Sequence, residues 1–331
     1  MKKLLLAVAL TVVPVLVFAA PGLSKAKRAA QPVKTGPGQF IQSSQLSSGV
    51  GATITVVGDW SEETRTMQLI GEVLTDLSRI DASINAASEG EVTKINSLKK
   101  GEKLTLSDDM FMLMTRAQEL ADQTKGWFDI TNKNYKKVSL DDKDKSLTFK
   151  ANEVQVDLSN ILPAYLVDIA LAKLVAGGVA NAKVEVGNVT RNIGQDIYTP
   201  WNVSVDIPNP NSANAYHSYV YSFSNKAVAS LRNSESQTDN FKNVTVFGGD
   251  SMTASAFAVA FYQLGPKYAP AFVAEHPEVK GIFVDGEGKL SSSRDLIMTH
   301  KNYDQEDATA APQSDRGPND LNKKRAEESK D

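Results

Sequence analysis

Carboxylates beside small or aromatic residues are the groups with which this chain could do chemistry. Cysteine is absent, which removes disulfides, thiolate metal ligands, a cysteine nucleophile and a lipid-bearing cysteine. The three histidines, His217, His276 and His300, lack the paired spacing of a histidine metal centre. The acidic positions that stand out are Asp129, Asp157, Asp168 and Asp250. Asp129 and Thr131 follow the aromatic pair Trp127-Phe128. Asp and Thr at such a turn bond their own backbone, and the same two residues can line a pocket. Asp250 stands before a helix, where it reads as an N-cap. The glycines of Phe247-Gly248-Gly249-Asp250 also offer that helix N-terminus as a seat for an anion. Asp157 closes an apolar stretch and organises the next loop. Asp168 reads as a surface or capping partner on an amphipathic helix, and Trp127 and Trp201 as core or rim aromatics able to border a planar ring.

Four helices must position these groups. Met67, Ile70, Leu74, Leu77, Ile80 and Ile84 step by three and four, which puts one apolar stripe on a helix from about Glu62 to Asn85. Ser107 followed by Asp108 and Asp109 is a capped, dipole-matched start for a second helix, ending near Gly126. A third runs from about Asn160 to Ala176 and is stopped by Gly177-Gly178. A fourth begins near Asp250 and stops at Gly265-Pro266. Between them, Ala52–Val57, Val154–Leu158, Lys183–Val186, Val203–Ile207, Tyr216–Phe223, Val244–Phe247 and Gly281–Val284 read as strands, several alternating apolar and polar residues as half-buried antiparallel strands do. No steady strand–helix alternation exists. The expected class is therefore α+β, mixed or antiparallel sheets packed with about four to five helices.

Length and composition set the frame. The chain has 331 residues, 41% hydrophobic and 23% charged, ordinary values for a globular protein. A formal charge of -3 argues against a nucleic-acid binder that works by neutralising phosphates. Met1-Lys2-Lys3, the apolar run Leu4–Ala19 and the exit Ala20-Pro21-Gly22 make a secretory signal peptide over residues 1–19. That run is 16 residues long and contains Pro14, short of the roughly 20 that span a bilayer. The expectation is a periplasmic or secreted protein, touching the membrane only through the cleaved signal. Residues 20–38, rich in Ala, Pro, Gly and Lys, read as a flexible linker. A folded body follows at 39–298, and then a disordered charged tail at 299–331.

Four segments of that body resemble the FAD:protein FMN transferase (ApbE-like) family. Ile80-Asp81 through Ile95-Asn96 is similar to the family's early helix and the signature after it. Thr124-Lys125-Gly126-Trp127-Phe128-Asp129-Ile130-Thr131 resembles its T-G-G-x-F-D-P-T turn. The stretch from Asp157-Leu158-Ser159-Asn160-Ile161-Leu162-Pro163-Ala164 to Asp168 sits where the family carries D-L-G-G-I-A-K-G-Y-A-V-D. Val244-Thr245-Val246 through Asp250-Ser251-Met252 to Val259 matches V-T-V and D-A-M-x-A-D-A-L-A-T, followed by Leu264-Gly265-Pro266. Pro200-Trp201 and Ala227-Val228-Ala229 fall in order between them. The resemblance implies an ApbE-like fold and an enzyme that splits FAD with the help of Mg²⁺. Such an enzyme places FMN on a Ser or Thr of a periplasmic electron-transfer protein. It implies Asp129, Thr131, Asn160 and Asp250 as cofactor-pocket positions, with Leu162, Ser255 and Val259 at the positions that hold the metal.

The departures fall where that chemistry needs its groups. Two loop glycines are Ser159 and Asn160, the lysine is Pro163 and the next glycine is Ala164. Added side chains obstruct close approach of a phosphate to backbone, and proline removes both a cation and an N–H donor. The metal-binding aspartate and threonine become Ser255 and Val259, although Mg²⁺ requires hard oxygen ligands. The N-x-G-G-D motif becomes Glu185-Val186-Gly187-Asn188-Val189, and T-S-G becomes Ser230-Leu231-Arg232, with no histidine in the shortened stretch after it. The reading that follows is a retained fold without the transfer chemistry, acting as a binding or scaffold protein for a flavin nucleotide or a periplasmic protein partner. The alternative is an active, divergent transferase using Asp250, Asp129 or Glu185 as substitute ligands. A third reading gives the remodelled pocket an unrelated small ligand.

Overall fold

The computed structural model describes residues 36–305 apart from 86–88, 209–215, 233–239, 294–295 and 297–298. The expected signal peptide, most of the expected linker and the chain beyond 305 lie outside the described residues. Among those described, no helix is long and apolar enough to cross a membrane.

In chain order the strands are β1 (Pro37–Gln45), β2 (Gly51–Asp59), β3 (Lys103–Thr105), β4 (Val138–Asp141), β5 (Ser146–Phe149), β6 (Ala182–Val186), β7 (Val189–Ile193), β8 (Trp201–Pro208), β9 (Tyr216–Phe223), β10 (Ala227–Arg232), β11 (Asn243–Gly248), β12 (Lys280–Val284), β13 (Leu290–Ser292) and β14 (Thr299–Gln305). The helices are α1 (Glu63–Asn85), α2 (Glu91–Asn96), α3 (Asp108–Gln123), α4 (Leu162–Ala176) and α5 (Ser251–Glu275). Eight strands form one sheet in the order β1-β2-β6-β7-β10-β11-β12-β13, and two three-stranded sheets are ordered β14-β9-β8 and β3-β5-β4. Every described pairing between these strands is antiparallel. The α+β class holds.

Side chains of the large sheet divide by the two-residue period of a strand. Ala227 and Ala229 of β10 and Val244 and Val246 of β11 join the main core, shared with α1, α4 and α5. Their neighbours Val228 and Phe247 point the other way, into a smaller cluster with Tyr221 of β9 and Ile282 and Val284 of β12. The sheet is therefore covered on both faces. Helix α1 keeps the expected stripe, burying Ile70, Leu74, Leu77, Ile80 and Ile84. Ser107 caps α3 by accepting from the Met110 amide at 3.2 Å, and Pro163 stands in the first turn of α4, where its missing N–H costs nothing.

Several expectations need correction. The expected linker does not extend to residue 38, because β1 already pairs with β2 from Pro37, opposite Asp59. The tail expected from 299 does not begin there, since β14 pairs with β9 through Gln305. Gly265, at φ 67°, ends the first part of α5 as expected, yet helix resumes beyond this kink as far as Glu275. The short strands β3, β4, β5, β7 and β13, and the strands β1, β10 and β14, lacked a periodic signal long enough to read. Val154–Leu158 is not a strand. It does alternate buried and exposed, but its central residue pairs with a side chain. Asn96 Nδ2 donates to the Val156 carbonyl at 2.9 Å and the Val156 amide donates to Asn96 Oδ1 at 2.7 Å.

One carboxylate joins three elements. Asp168 on α4 accepts from the backbone amides of Ser251 and Met252 at 3.0 to 3.1 Å, the first amides of α5. It also accepts from Arg191 Nη1 of β7 at 2.6 Å. The N-terminus of α5, read in the sequence as an anion seat, is thus occupied by an internal anion. We expect Asp168→Ala to cost about 3 kcal/mol in urea unfolding, because the substitution strands a partly buried guanidinium and two helix amides. A loss below about 1 kcal/mol would show that water serves these groups as well.

Candidate functional site

The site is built around the segment 155–163, which leads into α4. Its backbone is fastened on one side by Asn96 and on the other by a bond from the Asp157 amide to the Ile130 carbonyl at 2.8 Å. Two clefts flank it, and Val156 and Asp157 border both. The first, of about 460 Å³, lies toward the β1–β2 turn and α1 and is mostly apolar, with Leu46, Val50, Leu162, Leu166 and Val186 in its walls. At its edge Asp81, almost fully buried, accepts from the Ser48 amide at 2.8 Å and from Asn85 Nδ2 at 3.1 Å.

The second cleft, of about 360 Å³, lies between the 126–133 loop, the 155–160 segment and α5. Here the family-matched positions Asp129, Asn160 and Val259 meet. The loop that carries Asp129 begins where α3 ends. The Gly126 amide bonds back to the Ala121 carbonyl and the Lys125 amide to the Asp122 carbonyl, a Schellman closure with Lys125 in the left-handed region at φ 55°. Asn132 and Lys133 follow at φ 50° and 71°, and non-glycine residues held there carry strain. The Asp129 carboxylate over-determines the loop. It accepts from the Thr131 amide at 2.7 Å, from Thr131 Oγ1 at 2.6 Å and from the Tyr135 amide at 3.2 Å. Burial pushes the Tyr135 phenol up from its ordinary value, helped by its bond to the Asp122 carboxylate and by the charges of Asp122 and Asp129.

Not every expected residue reaches this cleft. Thr131 is buried inside the loop, where its hydroxyl also accepts from the Asn134 amide at 3.2 Å, so it positions the loop and does not face a ligand. Asp250 caps α5, accepting from the Thr253 amide at 2.8 Å and Thr253 Oγ1 at 2.7 Å. Arg116 stands 3.7 Å away, and Asp250 borders neither cleft. Leu162 faces the first cleft. Ser255 is buried, and its hydroxyl donates to the Asn160 carbonyl at 2.6 Å. Trp201 is a core aromatic whose Nε1 donates to the Ile193 carbonyl at 2.8 Å. Trp127 is exposed. Asn96, Asn132, Lys133, Gln155 and Gln263 also border the second cleft. Exposed polar residues leave no periodic mark, so only the quoted stretch ending at Asn96 pointed to any of them.

The family model described as the ApbE family matches residues 49–134 and 132–283; the chain belongs to this family. Among solved structures it is similar to the flavin transferase ApbE from Vibrio cholerae, with 17% identity and a TM-score of 0.68 over 79% of this chain and 99% of that one. It is also similar to the apo flavinyl transferase ApbE of Pseudomonas stutzeri, at 20% identity and a TM-score of 0.65 over 78% of this chain and 95% of that one. The ApbE protein of Thermotoga maritima aligns with 21% identity and a TM-score of 0.65, over 78% and 97%. No curated protein matches. At these identities the likeness shows the fold.

Mg²⁺ does not fit the residues at the position the family resemblance gives it. Ser255 commits its proton to a backbone carbonyl, Val259 brings only carbon, and both are buried. Among the described residues no three of His, Asp and Glu are arranged to hold a metal. The substitute ligands considered above are engaged separately: Asp129 in its loop, Asp250 with Thr253, and Glu185 with Lys183 at 3.0 Å. We expect roughly 5 mM Mg²⁺ to leave the melting temperature of the nucleotide-free protein unchanged, since an ion that does not bind the native state cannot stabilise it. Ser255→Ala should cost about 1 to 2 kcal/mol in urea unfolding, by leaving the Asn160 carbonyl without its donor.

Proposed function

We propose that this protein is an exported member of the ApbE family that has lost FMN transfer and serves as a binding or scaffold protein in the periplasm. The observation that carries the reading is the hydrogen bond from Ser255 to the Asn160 carbonyl, which occupies the place where transfer chemistry needs a cation. Phosphoryl transfer from FAD requires charge on the diphosphate to be neutralised while a hydroxyl attacks. Here the lysine of the loop is Pro163, the carboxylate is Ser255 and the threonine is Val259. The α5 N-terminus, another source of positive potential, is already paired with Asp168. What supports retained flavin recognition is membership of the family and the survival of two open clefts beside the family-matched loop.

The test is direct. Purified mature protein is incubated with FAD, Mg²⁺ and an acceptor domain carrying the transferase target motif, and the acceptor is weighed. We expect no FMN-sized gain in mass; a gain that depends on this protein overturns the reading. Export is tested by the mass of the protein recovered from the periplasm of an expressing cell, which should begin at Ala20.

A further inference from the structure

The second cleft has the lining of a site for an uncharged ligand. Its floor is apolar, from Phe128, Ile130, Val156 and Val259. Three carboxamides stand around that floor with side chains that bond to nothing among the described residues: Asn132, Asn160 and Gln263. The charged groups at the rim are Asp129, Asp157 and Lys133, which leaves negative charge in excess. A carboxamide offers both a donor and an acceptor, so three of them match a flat ring whose edge alternates N–H and C=O. The apolar floor suits the face of such a ring. A phosphate brought into the same cleft meets two carboxylates and one lysine, and like charges at this range repel.

The backbone supplies an independent observation. Asn132 and Lys133 are consecutive non-glycine residues in the left-handed region, held there by the Asp129 carboxylate and the Thr131 hydroxyl. Strain of this kind persists where surrounding structure enforces it, and it collects at ligand sites. Its effect here is to turn the Asn132 and Lys133 side chains toward the cleft border.

We infer that this cleft selects a neutral heterocycle with a donor–acceptor edge, and that among flavins it takes riboflavin in preference to FMN or FAD. The inference rests on the flavin-binding reading above and concerns the form of flavin held. The ligand's imide edge meets the carboxamides, its ring lies toward the apolar floor, and the two carboxylates of the rim outweigh its one lysine against a phosphate.

Equilibrium dialysis of the mature protein against riboflavin, FMN and FAD at low salt tests this. Riboflavin should bind at least about tenfold more tightly than either nucleotide, and the gap should narrow as salt rises, because charge repulsion is screened. Asp157→Asn should tighten FMN binding by a larger factor than it changes riboflavin binding, since removing one negative charge relieves repulsion of the phosphate alone. Asn160→Leu should weaken riboflavin at least about fivefold; the Asn160 side chain is exposed, so this variant is expected to fold. FMN or FAD binding as tightly as riboflavin overturns the inference and leaves the non-catalytic reading standing. Absence of binding by all three overturns the inference and the flavin part of that reading together. Transfer of FMN to an acceptor overturns the non-catalytic reading whatever the order of affinities.

Discussion

The carboxylate of Asp168 is the constraint on which the helical layer depends. It is fixed by Arg191 from the sheet and faces the opening amides of α5, so the direction in which α5 leaves β11 is set from α4. With both helices anchored to one charge, Ser255 falls against the Asn160 carbonyl and Val259 against the 155–160 segment. A helix N-terminus is a ready anion site, and in this protein an internal anion fills it. The demand for a bound ligand or ion to complete the fold is correspondingly lower, because hydrogen bonds internal to the chain already tie α5 to the loop before α4.

That arrangement gives the departures from the family pattern a common physical sense. Pro163, Ala164, Ser255 and Val259 are each ordinary packing residues in their own surroundings: Pro163 in a first helical turn, Ala164 and Val259 buried, Ser255 bonded to backbone. None leaves a charged partner stranded. Lys125, at the glycine of the motif this turn resembles, holds a left-handed backbone that glycine would serve at no steric cost, and pairs with Glu275 at 2.8 Å.

Much of the helical scaffold was legible because long apolar periods and caps are local: the stripe of α1, Ser107 before α3, Asp250 before α5 and the break at Gly265 all follow from neighbours in sequence. Strands rich in β-branched residues, such as β6, β11 and β12, were legible too; the missed ones, such as β1 and β3, carry many polar residues and are paired by partners whose identity no local pattern states. Val154–Leu158 shows the difference. Its alternation was read correctly, and what covers it, the side chain of Asn96, has no signature. In the site, Asp129 and Asp250 announced themselves as turn and cap residues and proved to be so. That Asp129 also borders a cleft while Asp250 does not is a matter of tertiary placement, invisible to spacing.

The way Asn96 holds Val156 has a bearing on how the molecule can change. A strand is released only by unzipping a ladder, whereas the centre of this stretch is held by one side-chain amide that takes the place of a neighbouring strand. The wall common to both cavities is therefore held by a few separate bonds, from Asn96, Ile130 and Ser255, and its shape can be retuned by altering the Asn96 or Ser255 side chain without unpicking any sheet.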